Sequence, residues 1–121
     1  MNTIELAVFI EACLANGDLP QVIAAARGDG RVGRRFLAFL SSTDEKLRLA
    51  TVEALGILAN ELAESDPESV LDLLRRLRWF SNAESGNSVH MAEPAIRRIL
   101  IAVEGKIPAE SLESFMPQDA E

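Results

Sequence analysis

The sequence predicts an all-α fold, a stack of six or seven helices, and three observations carry that expectation. Residues 43–63 form a long amphipathic run rich in alanine with a single internal glycine, the composition of a helix packed closely between neighbours. Aromatic residues make up only 5% of the chain, tyrosine is absent and β-branched runs are scarce, which opposes a sheet. Cap and turn residues recur at intervals that divide the chain into helix-sized pieces.

The first helix is expected from about Thr3 to Asn16, with Leu6, Phe9, Ile10, Cys13 and Leu14 at helical spacing and Gly17 placed to end it. Asp18, with Gln21 three residues on, is a candidate capping pair for a second helix carrying Val22 and Ile23 and stopping near Arg27. Gly28-Asp29-Gly30 reads as a turn, after which Val32, Phe36, Phe39 and Leu40 define a third. Thr43 or Asp44 can cap the fourth. Along it Leu47, Ala50, Ala54, Leu58 and Leu62 make one apolar face; Leu49, Val52, Gly56, Ala59 and Ala63 make a second; Lys46, Glu53, Asn60 and Glu64 lie on the polar stripe. Gly56 costs about 1 kcal/mol against alanine in a helix, so it implies close approach of a neighbouring backbone.

Asp66-Pro67-Glu68 starts the fifth helix, with Val70, Leu73, Leu74 and Leu77 as its buried stripe and Asp72 placed to pair with Arg76. Residues 81–88 read as the longest polar connection. A sixth helix extends to about Glu104, and Pro94 implies a late start or a kink. A seventh begins at Pro108 and presents Leu112, Phe115 and Met116 as a cover for the end of the stack. Residues 1–116 are expected to form a single domain, and 117–121 an acidic tail.

Asp44-Glu45-x-Leu47-Arg48-x-Ala50-x-x-Glu53-Ala54-Leu55-Gly56-x-Leu58 resembles the second helix of a HEAT repeat, in particular the short prokaryotic HEAT-like or PBS-lyase-like subclass. About 41 residues downstream, Pro94-Ala95-Ile96-Arg97-Arg98-Ile99 falls in the frame of Glu53 to Leu58, with arginine in place of the glycine and proline in place of the glutamate. A period near 40 suits such repeats. The resemblance spans roughly residues 18–104 and implies a short right-handed α-α superhelix of the armadillo/HEAT type, its six or seven helices in two to three repeats, without implying lyase activity.

Several motifs carry potential chemistry. Gly28-Asp29-Gly30-Arg31-Val32-Gly33 matches G-x-G-x-x-G, but a helix rather than a β-branched strand precedes it, so an interhelical turn is the expectation over a dinucleotide site. Cys13 is expected as a small core residue rather than a reactive thiol. His90 is the sole histidine, which rules out a histidine metal cluster; neither metal nor cofactor is expected. No serine elbow accompanies His90, and the paired carboxylates fall on helix surfaces or caps, so no catalytic residue is assigned.

The formal charge is −7, from 19 acids against 12 bases, which opposes broad binding to nucleic acid. Arginines concentrate at 27–35, at 75–78 and at 97–98. On a shared face they suit an acidic peptide or a nucleic-acid backbone, or else they complement helix C-termini and pair with nearby acids. Trp79 and Phe80 adjoin the second cluster and mark a hot-spot region if a partner docks there; otherwise they close the core between repeats. Trp79-x-x-Asn82-x-Glu84-Ser85-Gly86 followed by Pro94 is similar to a segment of small bacterial HEAT-like proteins of unassigned role. The candidate partner-binding residues are therefore Arg75, Arg76, Arg78, Trp79, Asn82, Glu84 and Arg97.

The expectation is a non-enzymatic adapter or scaffold for a protein partner. The alternative is a HEAT-like nucleic-acid-binding protein or a DNA glycosylase-type enzyme. No apolar run is long enough for a membrane span, a cytoplasmic setting is expected, and the open ends of a short array are candidates for homo-oligomer contacts.

Overall fold

The computed structural model describes residues 2–82 and 86–116, with side chains omitted at 82 and 86–90. The described chain is all-helical: α1 (Thr3–Ala15), α2 (Leu19–Gly28), α3 (Gly30–Phe39), α4 (Glu45–Ser65), α5 (Pro67–Asn82), α6 (Gly86–Ala102) and α7 (Ala109–Leu112), followed by a 3₁₀ turn at Glu113–Phe115.

Local chemistry explains most boundaries. Asn2 and Glu5 form a reciprocal capping box: the Glu5 amide donates to Asn2 Oδ1 at 2.8 Å and the Asn2 amide to Glu5 Oε1 at 3.0 Å. Gly17, at φ +73°, supplies the left-handed residue that ends α1. Asp44, rather than Thr43, caps α4, accepting from the Lys46 amide at 3.0 Å. Asp66 caps α5 through the Ser69 amide (3.3 Å) and hydroxyl (2.6 Å). The expected Asp18 cap is absent: Asp18 occupies the N-cap position of α2, but its side chain accepts no capping bond. The cap that matters nearby is Asp29, which accepts from the Arg31 amide at 3.0 Å and starts α3 one residue after α2 ends.

Two expectations change on the C-terminal side. Ser81 and Asn82 complete α5 and residues 86–88 open α6, so of the polar stretch only 83–85 lies outside the described residues. Polarity alone does not break a helix when no proline intervenes, and Ser81 is held in the last turn by donating back to the Arg78 carbonyl at 3.1 Å. Pro94 sits inside α6, which starts eight residues before it, so the helix has no late start. The acidic tail at 117–121 falls outside the described residues.

α4 is the centre of the stack, touching α1, α2, α3, α5 and α6, and it packs most extensively on α6. Ala54, Leu55, Leu58, Ala59 and Ala63 are buried along it, and the fully buried Thr51 hydroxyl is satisfied by the Leu47 carbonyl at 2.6 Å. Leu49 departs from the predicted second face and is 54% exposed. It lies three residues after Lys46 and four before Glu53, within the polar stripe itself. The predicted close approach at Gly56 is real, but the neighbour is a side chain: Arg98 Cγ lies 2.7 Å from where a Cβ at residue 56 would sit. A continuous core runs from Leu6 and Ile10 through Phe36, Leu55 and Leu74 to Ile96, Ile99 and Val103, and Leu112 and Phe115 close its C-terminal end.

Candidate functional site

The outer face of α5 is set by helical geometry. Its buried stripe, Val70, Leu73, Leu74 and Leu77, points inward. Residues about 200° away from Leu77, counted at roughly 100° per residue, must point out. Trp79 is such a residue and is 67% exposed. Its ring meets Phe80 edge-to-face, with centroids 5.3 Å apart and planes at 76°. Phe80 is half-buried against the core, so the two aromatics divide the predicted alternatives: Phe80 packs inward and props the exposed indole.

Arg75 and Arg76 stand one helical turn before Trp79 on the same face, both exposed. Arg76 Nε donates to Asp72 at 2.9 Å, the predicted one-turn pair, whereas Arg75 only approaches Glu68 at 3.9 Å. Exposed pairs of this kind contribute about 0.2–1 kcal/mol and yield easily to a competing ligand.

Arg78 behaves differently. One residue from Trp79 it turns to the edge of α5, is only 25% exposed, and binds three groups: the Glu93 carboxylate on α6, the Ser81 hydroxyl at 3.2 Å and the Phe115 carbonyl at 2.6 Å. It ties two helices to the C-terminal cover and is not available for a partner. Arg97 is exposed on α6, one turn after Glu93, and makes no hydrogen bond or ion pair among the described residues. The side chain of Asn82 and all of Glu84 lie outside the described residues. The structure thus brings together Arg75, Arg76 and Trp79 and sets Arg78 apart.

The glycine-rich motif is a turn between two helices, and among the described residues no strand precedes it. Gly28, Gly30 and Gly33 line a cavity of about 370 Å³ shared with the start of α5, in which Arg27, Arg34 and Arg76 are matched by Asp29, Asp66 and Asp72. Balanced charge of that kind offers no particular ligand sign. Asp29 was legible as a turn residue but not as the partner of Arg31, whose Nη2 reaches it at 2.7 Å. The Arg31 side-chain hydrogen bonds, then its backbone amide, hold the Asp29 carboxyl down to about 2. Because the folded-state value lies below the ordinary one, the stabilisation is present at neutral pH, fades below about pH 4 and is gone once the pH falls through about 2. Thermal midpoints measured from pH 5 down to about pH 2 should therefore fall less steeply for Asp29→Asn than for the native chain. Parallel curves would contradict this.

Cys13 is buried and its thiol is pushed up by burial first and by Asp18 second, so it is a core side chain and a poor nucleophile. Among the described residues no group of three or more His, Cys, Asp or Glu side chains is placed to hold a metal ion, and the His90 side chain falls outside them. No helix among the described residues is long and apolar enough to cross a membrane. Comparison with protein-family models, with curated proteins and with solved structures yields no match.

Proposed function

We propose that this chain is a non-enzymatic helical scaffold, a short HEAT-like array, that docks a protein segment on the outer face of α5. The observation that carries the reading is Trp79: the chain's one tryptophan is two-thirds exposed and flanked by Arg75 and Arg76 within one turn. Tryptophan and arginine dominate the energetics of protein interfaces: the indole buries a large apolar area with few rotatable bonds, and the guanidinium fork makes several directed hydrogen bonds at once. The repeat reading is supported by the echo between α4 and α6. Ala54, Leu55 and Leu58 are buried, and so are Ala95, Ile96 and Ile99 at the corresponding positions of the helix packed against them. A partner bearing acidic side chains beside an apolar anchor suits this face, since Arg75 is held only at 3.9 Å by an exposed glutamate. The net charge of −7 disfavours the nucleic-acid alternative.

Affinity capture from a lysate with the native chain, set against a Trp79→Ala, Arg75→Ala variant, tests the assignment. Removing a hot-spot tryptophan costs about 2 kcal/mol or more, about thirtyfold in affinity, so a specifically retained protein should be lost from the variant. Equal retention by both would remove this face from consideration.

A further inference from the structure

α3 is the helix that runs furthest against the charge of the chain. In a protein of net charge −7 it carries Arg31, Arg34 and Arg35 and not one acidic side chain. Its apolar face, Val32, Phe36 and Leu37, is buried, which fixes the three arginines on the opposite side. There they line, with Ala38, Thr3 and Leu6 of α1, a cleft of about 390 Å³ whose lining includes no carboxylate. The first turn of α1 forms the other wall through Thr3 and Leu6; its end is already closed by the Asn2–Glu5 capping box, so the positive charge of the cleft comes from the arginines.

The use made of the other arginines sharpens the point. Arg27, Arg31, Arg75, Arg76, Arg78 and Arg98 each meet a carboxylate, and Arg48 donates to the Ser42 carbonyl at 2.6 Å. Arg34 and Arg35 make no hydrogen bond or ion pair among the described residues: Arg34, which also borders the charge-balanced cavity, meets the Asp29 charge only through space, while Arg35 is half-buried, in a chain where acids outnumber bases 19 to 12. A half-buried guanidinium left without an acceptor in an acid-rich protein is an open position for an anion.

We propose that the cleft between α3 and the first turn of α1 binds the phosphoryl group of a small phosphate monoester, through Arg34, Arg35 and the Thr3 hydroxyl. The protein itself shows why a carboxylate is the poorer fit: one guanidinium, Arg31, already saturates Asp29. Two adjacent guanidiniums with a hydroxyl beside them need an anion of about two charges and three acceptor oxygens, which a phosphate monoester supplies. The cleft volume lies within the range of small-molecule sites, about 300–1,000 Å³. This site is distinct from the α5 face and does not depend on it.

Titration of the native chain with inorganic phosphate and with glycerol 3-phosphate, followed by amide NMR at about pH 8 and fixed ionic strength, decides the matter. Saturable millimolar shifts are expected at Thr3 to Leu6 and at Arg31 to Ala38. Equal affinity for the two probes assigns recognition to the phosphoryl group alone, and tighter binding of the ester extends the site to the organic part; either supports the proposal. An Arg34→Gln, Arg35→Gln variant should bind at least about tenfold more weakly, the loss expected for charge-assisted hydrogen bonds. Should the double variant not fold, the exposed Arg34→Gln change alone gives the comparison. The same shifts with sodium chloride, shifts confined to other regions, no saturation, or undiminished binding by the folded variant would each overturn the proposal.

Discussion

Replacing Gly56 by valine is expected to cost about 2–3 kcal/mol of folding stability, and replacing it by alanine about 1 kcal/mol, although both are better helix formers than glycine. The reason is the path of Arg98. Its stem crosses α4 directly over Gly56, with Cγ 2.7 Å and Cζ and Nε 3.1 Å from where a Cβ would stand. Its head reaches Glu53, one turn back along α4, with Nη2 at 3.0 Å and Nε at 3.3 Å from Oε1. A Cβ pushes against the middle of this side chain rather than its free end, so the clash is relieved only by giving up the Glu53 contact or by parting α4 from α6, the most extensive packing in the stack. The pair is partly exposed and worth little by itself; most of the cost is overpacking. The mechanism makes a reversal of sign its signature. With Arg98→Ala already in place, Gly56→Ala should stabilise by about 1 kcal/mol, the ordinary helix-propensity gain. Urea denaturation of the four chains in this cycle measures the coupling. Additive effects would show that Arg98 is not what the glycine accommodates.

The same residues show which features a sequence exposes and which it hides. The position of α4 was legible because a helix buried on two flanks leaves a narrow polar stripe, and Lys46, Glu53, Asn60 and Glu64 are all exposed where that stripe placed them. Leu49 was misplaced because a greasy side chain within the stripe looks like the start of another apolar row. The glycine signalled a close neighbour but not its kind, since Arg98 is 42 residues away and nothing local couples the two. The polar stretch after Phe80 failed for the opposite reason. Composition predicts a loop, yet the serine that suggested one donates back into its own helix.

On the candidate face, exposure was readable from periodicity and bonding was not. Trp79 lies opposite Leu77 on the helical wheel, and Phe80, three residues after Leu77, lies beside the stripe; one is exposed and the other half-buried. By charge and spacing along the sequence, Arg75, Arg76 and Arg78 are equivalent. Their separation depends on Glu93 and Phe115, which approach α5 only after α6 and the C-terminal turn have folded back. Charge alone shows Arg34 and Arg35 as part of a cluster; that they, like Arg97, meet no acceptor among the described residues is set by the packing of the other helices.

That separation yields the second large effect. Arg78→Ala should destabilise the protein by about 2–3 kcal/mol, whereas Arg75→Ala should change it by no more than about 0.5 kcal/mol. Arg75 is exposed and meets its glutamate only at 3.9 Å. Arg78 is three-quarters buried and serves as the single donor group joining α5 to Glu93 of α6 and to the Phe115 carbonyl. Truncation leaves a partly shielded carboxylate and a carbonyl beside the buried Phe115 ring without their charged donor, and such orphaned acceptors carry most of the penalty. Arg78→Lys should fall between the two, because one ammonium on a flexible stem cannot reproduce the fork that spans Glu93 and Phe115. The defect should also be local before it is global. Amides of 109–116, whose cover is pinned to α5 through this contact, should exchange with solvent faster under native conditions in Arg78→Ala, while those of α4 slow or quicken only with overall stability. If exchange at 109–116 is unaltered, or if Arg78→Ala and Arg75→Ala unfold at the same urea concentration, Arg78 is not the tie that holds the end of the stack, and it returns to the exposed α5 face as a third cation available to a partner.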